Sequence, residues 1–235
     1  MDSDELRRML ELTNEARDYL KQNEPLSAAK TLGNLGVLYR KAGYFAKALE
    51  SSKAALSIFC QLGDRESEAT ELLLQGNTYG ALEDFDNAIN CHMQSLKISD
   101  ELGHETLVAM NCLRVGLIMA LARMYSKARV MLRYSALLYS ILGQQNHLSD
   151  AIGAMEKFRR MRAFPSTPQE VALDKFFSAR SSLDDIRSVV EKHPILRTPD
   201  LINLLDGANE ITVGVHCVVV AIKRRVGMLR LIASE

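Results

Sequence analysis

Apolar residues recur at helical spacing along most of the chain, and short polar or glycine-containing breaks separate these runs. In the first run Leu6, Met9 and Ala16 fall on one stripe, which predicts a helix over residues 4–21. Pro25 suits the first turn of the helix that follows. The same reasoning predicts further helices over 26–41, 45–61, 65–81, 85–101, 105–121, 125–142 and 146–161. The pattern therefore indicates an all-α chain.

A forty-residue period connects these helices between Leu32 and Gly143. Alternate helices, which we call the A helices, carry a glycine in the same place: Gly36, Gly76 and Gly116. The helices between them, the B helices, begin with an aromatic residue, contain a repeated alanine and end at a Leu-Gly pair. These positions are Phe45, Phe85 and Tyr125; Ala48, Ala88 and Ala128; and Leu62-Gly63, Leu102-Gly103 and Leu142-Gly143. Several columns in one register indicate an internal repeat.

The repeated glycines indicate close packing between helices. Glycine inside a helix costs about 1 kcal/mol relative to alanine, so its recurrence suggests that a neighbouring helix passes too close for a side chain. The alanines of the B helices serve the same approach, and the aromatic residues fill space between adjacent hairpins. Because one hairpin cannot bury its own apolar face, we expect a superhelix of stacked antiparallel helix hairpins with a concave side. Residues 4–21 would cap it as half of an incomplete repeat, and 146–161 would start a partial fourth repeat.

The period stops after Arg162, which predicts a repeat array at 1–162 and a C-terminal helical domain or cap at 163–235. A short linker, 163–168, precedes a helix that starts with a proline and extends to about residue 180. Ser182 is expected to cap the next helix, to about 192, and another helix starts at 198. The last segment, 210–232, is rich in β-branched residues, so a strand is an alternative to the helix that we prefer there.

The residues of the repeat resemble those of the tetratricopeptide repeat. The resemblance rests on Leu35, Gly36, Tyr39, Gly43, Phe45, Ala48 and Ala55 in the first unit, on Gly76, Tyr79, Phe85 and Ala88 in the second, and on Gly116, Tyr125 and Ala128 in the third. The usual repeat has about 34 residues. The period here is forty because each B helix runs longer before its Leu-Gly pair, so the chain looks like the long-period type. The resemblance implies a solenoid that forms a right-handed superhelix, carries a C-terminal helical extension here and binds other proteins.

In tetratricopeptide arrays the A helices line the concave groove, so the resemblance also implies which residues contact a partner. Matched by phase, they are Lys30, Asn34, Val37, Lys41, Leu73, Asn77, Met110, Arg114 and Leu117. Apolar side chains with a few hydrogen-bond donors suit an extended peptide or an amphipathic helix. The carboxylate clamp of chaperone-type members is not matched, because Gly33, Val37 and Leu74 occupy its positions and only Arg114 fits.

Composition argues against several other classes of protein. The formal net charge is +0, unlike the clustered basic surface of a nucleic-acid-binding protein. The longest apolar run, 211–222, is shorter than the roughly 20 residues of a membrane span. The amino terminus lacks the apolar core of a signal peptide. The four cysteines show no paired spacing, which predicts free thiols, no metal site and a cytoplasmic protein.

The sequence contains no motif of an active site. It has no glycine-rich phosphate loop outside the repeat, no GxSxG and no HExxH. His104 and His147 follow turns and are expected to be exposed, while Cys91 and His92 are adjacent in sequence rather than placed as a catalytic pair. The acidic residues at 83–86 surround a turn, where they are expected to cap a helix. We therefore expect no enzymatic activity and no cofactor.

These observations predict a non-catalytic scaffold or adaptor that binds a peptide or helix of a partner protein in its concave groove. The alternative is a regulatory or sensory module that controls an associated enzyme through the C-terminal helices. The basic cluster 223–225 is interpreted as a solvated helix face. The apolar terminal segment either packs internally or forms a homodimer interface.

Overall fold

The computed structural model describes residues 3–161, 167–179, 182–197 and 226–228, and these contain helices and no strand. The α-helices are α1 Ser3–Lys21, α2 Pro25–Lys41, α3 Phe45–Leu62, α4 Arg65–Ala81, α5 Phe85–Glu101, α6 Glu105–Leu121, α7 Tyr125–Ile141, α8 Gln145–Arg160, α9 Pro168–Ser178 and α10 Leu183–Lys192. A 3₁₀ turn, Pro194–Arg197, follows α10. The repeated helix hairpins pack sequentially, which confirms the predicted all-α hairpin repeat. The predicted helix bounds up to residue 192 agree to within two residues.

Every turn between the first eight helices contains one residue in the left-handed backbone region. These residues follow one another at intervals of twenty: Asn23, Gly43, Gly63, Glu83, Gly103, Arg123 and Gly143. Glycine adopts this conformation without steric cost, which explains four of the seven positions and confirms the prediction for Gly43. Turns within a hairpin and turns between hairpins are therefore built alike.

The chain forms two compact units, Met1–Ile98 and Ser99–Glu235. In the first unit α1 packs on α2, α2 on α3 and α3 on α4. Ser95 of α5 donates a hydrogen bond to the carbonyl oxygen of Ala69 in α4, at 2.6 Å. In the second unit α7 packs against α6, α8 and α9, and α10 and the 3₁₀ turn pack against α9.

The glycine column of the A helices lies against the next B helix, as the sequence suggested. A Cβ at Gly36 would lie 3.2 Å from the carbonyl oxygen of Ala48, and a Cβ at Gly76 would lie 2.7 Å from the ring of His92. At Gly116 it would lie 2.8 Å from Leu132. At such distances an added side chain would force the neighbouring side chain or backbone to shift, so these glycines allow the helices of each hairpin to approach closely.

A buried ionic cluster joins α9 to α7 in the second unit. Asp174 of α9 accepts hydrogen bonds from Arg129 Nη2 at 2.7 Å and from Arg133 Nε at 2.9 Å. Ser140 of α7 also donates a hydrogen bond to the carbonyl oxygen of Ala179. The helix α10 begins as predicted, because the Ser182 hydroxyl accepts a hydrogen bond from the Asp185 backbone N–H at 3.1 Å.

Several predictions lie outside the described residues. They concern residues 163–166 of the linker, the helix from 198, most of the segment 210–232 with its strand alternative, and the basic cluster 223–225. Residues 226–228 of the terminal segment are helical. The predicted division at residue 162 marks where the repeat stops, which the grouping into two units does not test, so it stays a prediction. None of the described helices is long and apolar enough to cross a membrane.

Candidate functional site

The A helices α2 and α4 form an open groove in the first unit, with a volume of about 380 Å³. We call it the first groove. It is lined by Lys30, Gly33, Asn34, Val37, Phe59, Glu66, Ser67, Thr70, Glu71 and Leu74. Phe59, the contribution of α3, is buried, whereas Lys30 and Glu66 are exposed. The groove thus has charged residues near solvent, and Phe59 adds a buried apolar surface.

The A helices α6 and α8 form a similar groove in the second unit, with a volume of about 330 Å³. We call it the second groove. It is lined by Met110, Leu113, Arg114, Leu117, Tyr139, His147 and Asp150. Each of these residues lies two forty-residue periods after a residue of the first groove, as Arg114 does after Asn34 and Tyr139 after Phe59. The two grooves therefore use the same columns of the repeat.

The structure brings together six of the nine residues implied by the resemblance. Three line the first groove and three the second: Lys30, Asn34 and Val37, then Met110, Arg114 and Leu117. Lys41 is exposed at the end of α2, Leu73 is buried and Asn77 is half-buried, and none of the three lines either groove. That these nine residues contact a partner stays a prediction.

Glu71 is a buried polar residue of the first groove that the sequence did not single out. Its side chain is 5 % exposed, and its Oε2 accepts a hydrogen bond from the Ser52 hydroxyl at 2.7 Å. Burial raises the pKa of the Glu71 carboxyl group to about 7, although the Ser52 hydrogen bond opposes that rise. The groove therefore contains a carboxyl group that titrates close to neutral pH.

Gly33 explains how this carboxyl group fits between the helices. A Cβ at residue 33 would overlap Oε1 of Glu71. Gly33 is in α2, one turn before Gly36, and has helical backbone angles, so its value is the space that it leaves rather than its conformational freedom. In the second groove the matching residues are Leu113 and Ala151, both buried. The large side chain comes from α4 in one groove and from α6 in the other.

The second groove has an aromatic wall. The rings of Tyr139 and His147 stack with centroids 5.1 Å apart and an angle of 21° between their planes. His147 is exposed, as its position after a turn predicted, and so is Arg114. Burial raises the pKa of Tyr139 to about 12, which the nearby positive charge of Arg114 opposes. This groove offers an exposed guanidinium group beside a flat ring surface.

One sequence signal could have found Glu71. Its column in the forty-residue register holds Thr31 in the preceding A helix and Asn111 in the following one. All three residues are buried, although all three are polar. A polar column on the apolar face of three successive A helices indicates buried hydrogen-bonding groups. The stacking of His147 on Tyr139 had no comparable signal, because the two residues come from different helices.

The histidines and acidic residues considered for catalysis lie at packing, exposed or capping positions. His92 is buried against Gly76, and His104 is exposed as predicted. Asp84 accepts a hydrogen bond from the Asn87 backbone N–H at 3.3 Å, which confirms a capping role. Among the described residues no group of three or more histidine, cysteine, aspartate or glutamate side chains is placed to hold a metal ion.

Comparison with protein families identifies the repeat. Residues 27–101 match the family model described as tetratricopeptide repeat, and this stretch covers α2 to α5 almost completely. Residues 27–101 therefore carry tetratricopeptide repeats, and the repeated unit is of the long, forty-residue type. Proteins with this repeat generally mediate protein–protein interaction and are generally non-catalytic scaffolds.

One solved structure extends the likeness beyond that stretch. The crystal structure of BtubC (BKLC) from P. vanneervenii is similar over 99 % of this chain and 92 % of that chain, with 15 % sequence identity and a TM-score of 0.56. At this identity the likeness shows the fold alone. No curated protein matches the sequence.

Proposed function

We propose that the chain is a protein-interaction scaffold or adaptor that binds an extended peptide or an amphipathic helix of a partner protein along its A helices. The observation that carries this proposal is the repetition of the groove. Two open cavities form from the same columns of the repeat, one in each unit, and exposed side chains with hydrogen-bonding groups occur in both. A peptide ligand needs such donors and acceptors for its backbone and apolar space for its side chains.

The two grooves differ in the polar groups that they offer. The first presents the exposed amide of Asn34 with Lys30 and Thr70, and the second presents Arg114 with Asp150. An asparagine side chain can both donate and accept a hydrogen bond, which suits a peptide backbone. A guanidinium group suits a carboxylate. A partner is thus expected to use the two grooves through different residues.

The packing of α9 favours a structural role for the first C-terminal helix. Its Asp174 is buried between Arg129 and Arg133 of α7, so the helix covers a face of the array. A helix held in this way is suited to close the end of a repeat array, which would otherwise expose an apolar surface. This observation supports the scaffold over a module that docks on an enzyme through α9.

A cytoplasmic location is part of the proposal. Cys60, Cys91 and Cys112 are free thiols, and Cys60 is exposed. An exposed free thiol is typical of a reducing compartment.

The test is selection of short random peptides displayed on phage, followed by binding measurements with single variants. Peptides that bind a groove should lose affinity when Asn34→Ala or Arg114→Ala is introduced. Asn90→Ala and Arg160→Ala are matched controls, because these residues are exposed and line neither groove. The proposal would be overturned if peptide binding is unaffected by both groove variants, or if neither selection nor titration detects any binding.

A further inference from the structure

We propose that the first groove binds a basic side chain, lysine or arginine, of a partner protein segment, and that the carboxyl group of Glu71 receives its cationic head. This inference rests on the proposed function and specifies the partner's chemistry at one position. It follows from how Glu71 is held, from what surrounds it and from the second groove.

Glu71 is fixed in place with one oxygen left for a ligand. Oε2 accepts the hydrogen bond from Ser52, which holds the carboxyl group in one orientation. Oε1 accepts no hydrogen bond from a described residue, and the side chain is part of the groove lining. The glycine at residue 33 leaves room for this oxygen, since a Cβ there would overlap it. The carboxyl group is therefore preorganised, and an incoming donor does not have to reorient it.

No cationic side chain of the described residues forms an ion pair with this carboxyl group. Burial is the main influence on the titration of Glu71. A buried carboxylate without a cationic partner is unfavourable, and an opposite charge within hydrogen-bonding distance relieves that penalty. A cation entering the groove would thus gain more from Glu71 than from an exposed carboxylate such as Glu66.

The size and composition of the groove favour a side chain over a bare ion. One carboxyl group with a hydroxyl beside it is too small a ligand set for a metal ion, and no metal-binding cluster occurs among the described residues. A lysine or arginine also has a long apolar stem, which can pack on the half-buried Val37 and Leu74 and on Phe59. The cavity of about 380 Å³ has space for such a stem.

The second groove provides an internal control. Leu113 takes the place of Gly33, and Ala151 takes the place of Glu71. The same columns there contain no buried carboxyl group, so the preference for a basic side chain should be confined to the first groove.

Binding of a cation to Glu71 should strengthen as pH rises through about 7, because the cation pairs with the ionised carboxylate. The other charged groups around this site are Lys30 and Arg40 on α2 and Glu66 on α4. The residues that α3 contributes, such as Ser52 and Phe59, carry no charge. No histidine lines this groove, so the pH dependence near neutrality should vanish in Glu71→Gln.

The experiment selects random phage-displayed peptides on the full-length wild-type chain and measures the Kd of the enriched peptides by fluorescence anisotropy. Peptides whose binding is weakened by Asn34→Ala should share a lysine or arginine. Replacing that residue with norleucine, which keeps the stem and removes the charge, should weaken binding to wild type about tenfold or more. The same replacement should change binding to Glu71→Gln by less than about twofold, and Glu66→Gln should behave as wild type.

Each other outcome overturns something definite. If first-groove peptides lack a basic residue, or if norleucine weakens binding equally to wild type and Glu71→Gln, the role of Glu71 is wrong while the scaffold proposal stands. If every selected peptide depends on Arg114 and none on Asn34, the same conclusion follows. If no peptide depends on either groove, the proposed function itself fails. Glu71→Gln is isosteric and can keep the Ser52 contact, so loss of folding would not explain its effect.

Discussion

The two grooves are lined by residues at the same positions of the repeat, but the large and small side chains come from different helices in each. In the first, a glycine on α2 faces a glutamate on α4, and in the second a leucine on α6 matches an alanine on α8: Gly33 with Glu71, and Leu113 with Ala151. The repeat thus fixes where backbones run and how much volume each pair of columns holds. It does not fix which helix supplies the large side chain or whether that side chain is polar. Specificity can change within one groove without disturbing the packing of the hairpins.

The buried acidic residues of the two units also differ in the partners that they have. Glu71 has a serine hydroxyl as its hydrogen-bond donor, whereas Asp174 lies between two arginines. Asp174 is satisfied within the fold and serves to attach α9. Glu71 is only partly satisfied and lines an open groove. A buried charged group that has ion-pair partners within the fold serves the structure. One without such a partner is available to bind a ligand.

The largest effect on stability is expected when Asp174, the aspartate paired with two arginines, is replaced. Asp174→Ala would leave the buried Arg129 and Arg133 without this counter-charge and should lower the free energy of unfolding by about 3–5 kcal/mol. Urea unfolding followed by circular dichroism measures the change. Asp150→Ala, an exposed aspartate of the same unit, should have little effect. A loss below about 1 kcal/mol for Asp174→Ala would show that the cluster does not hold α9.

Glu71, which forms no ion pair, should make the stability of the protein depend on pH. The folded-state pKa of Glu71, about 7, lies above its reference value of 4.5, so the folded chain favours the protonated form. The stability this gives is fully present below pH 4.5 and is lost as pH rises through about 7, by about 3 kcal/mol in total. Glu71→Gln should therefore gain stability relative to wild type across that window and hold the gain at higher pH. Urea titrations of both proteins at several pH values test this, and a constant difference would contradict it.

Placing the large side chain at residue 33 and a small one at residue 71 should make the first groove resemble the second. Gly33→Leu alone should destabilise by about 1–3 kcal/mol, because the new side chain overlaps Glu71. Adding Glu71→Ala should recover most of the loss, since the pair then matches Leu113 and Ala151. A double-mutant cycle from thermal unfolding measures the coupling. Additive effects of the two substitutions would mean that residues 33 and 71 do not share the same space.

The turns should respond alike in both units. Gly63 and Gly143 have φ values of 70° and 69°, and a Cβ added at either residue would have no other atom within 4 Å, so only backbone strain opposes a side chain there. Gly63→Ala and Gly143→Ala should each destabilise by about 1 kcal/mol, as thermal unfolding would measure. Glu83→Gly, which relieves the same strain in the first unit, should have a smaller effect of opposite sign. Clearly unequal losses for the two alanine variants would show that the turns are not equivalent.

The sequence predicted the helices and the repeat because their causes are local. Hydrophobic spacing, the Leu-Gly pairs and the glycine column determine helix bounds and close approach within one hairpin, and the predicted bounds agree with α1 to α10. Part of the grooves was also predictable, since the resemblance to tetratricopeptide repeats, matched by phase, implied Asn34 and Arg114 as groove residues. The burial of Glu71 depends on Gly33 and Ser52 from two other helices, and the pairing of Asp174 depends on α7. Such contacts join residues far apart in the chain, so local patterns do not identify the partners of either acidic residue.

The even spacing of the left-handed turn residues has a consequence for how such a chain can grow by gene duplication. Because the turns between the first eight helices share a left-handed residue that recurs every twenty residues, copying a forty-residue stretch of this part would insert a complete hairpin and leave each junction unchanged. A copied stretch of twenty residues would also preserve the turns. It would, however, bring an A helix next to an A helix, where the glycine and alanine columns no longer oppose each other. The array is therefore free to lengthen, but only two helices at a time.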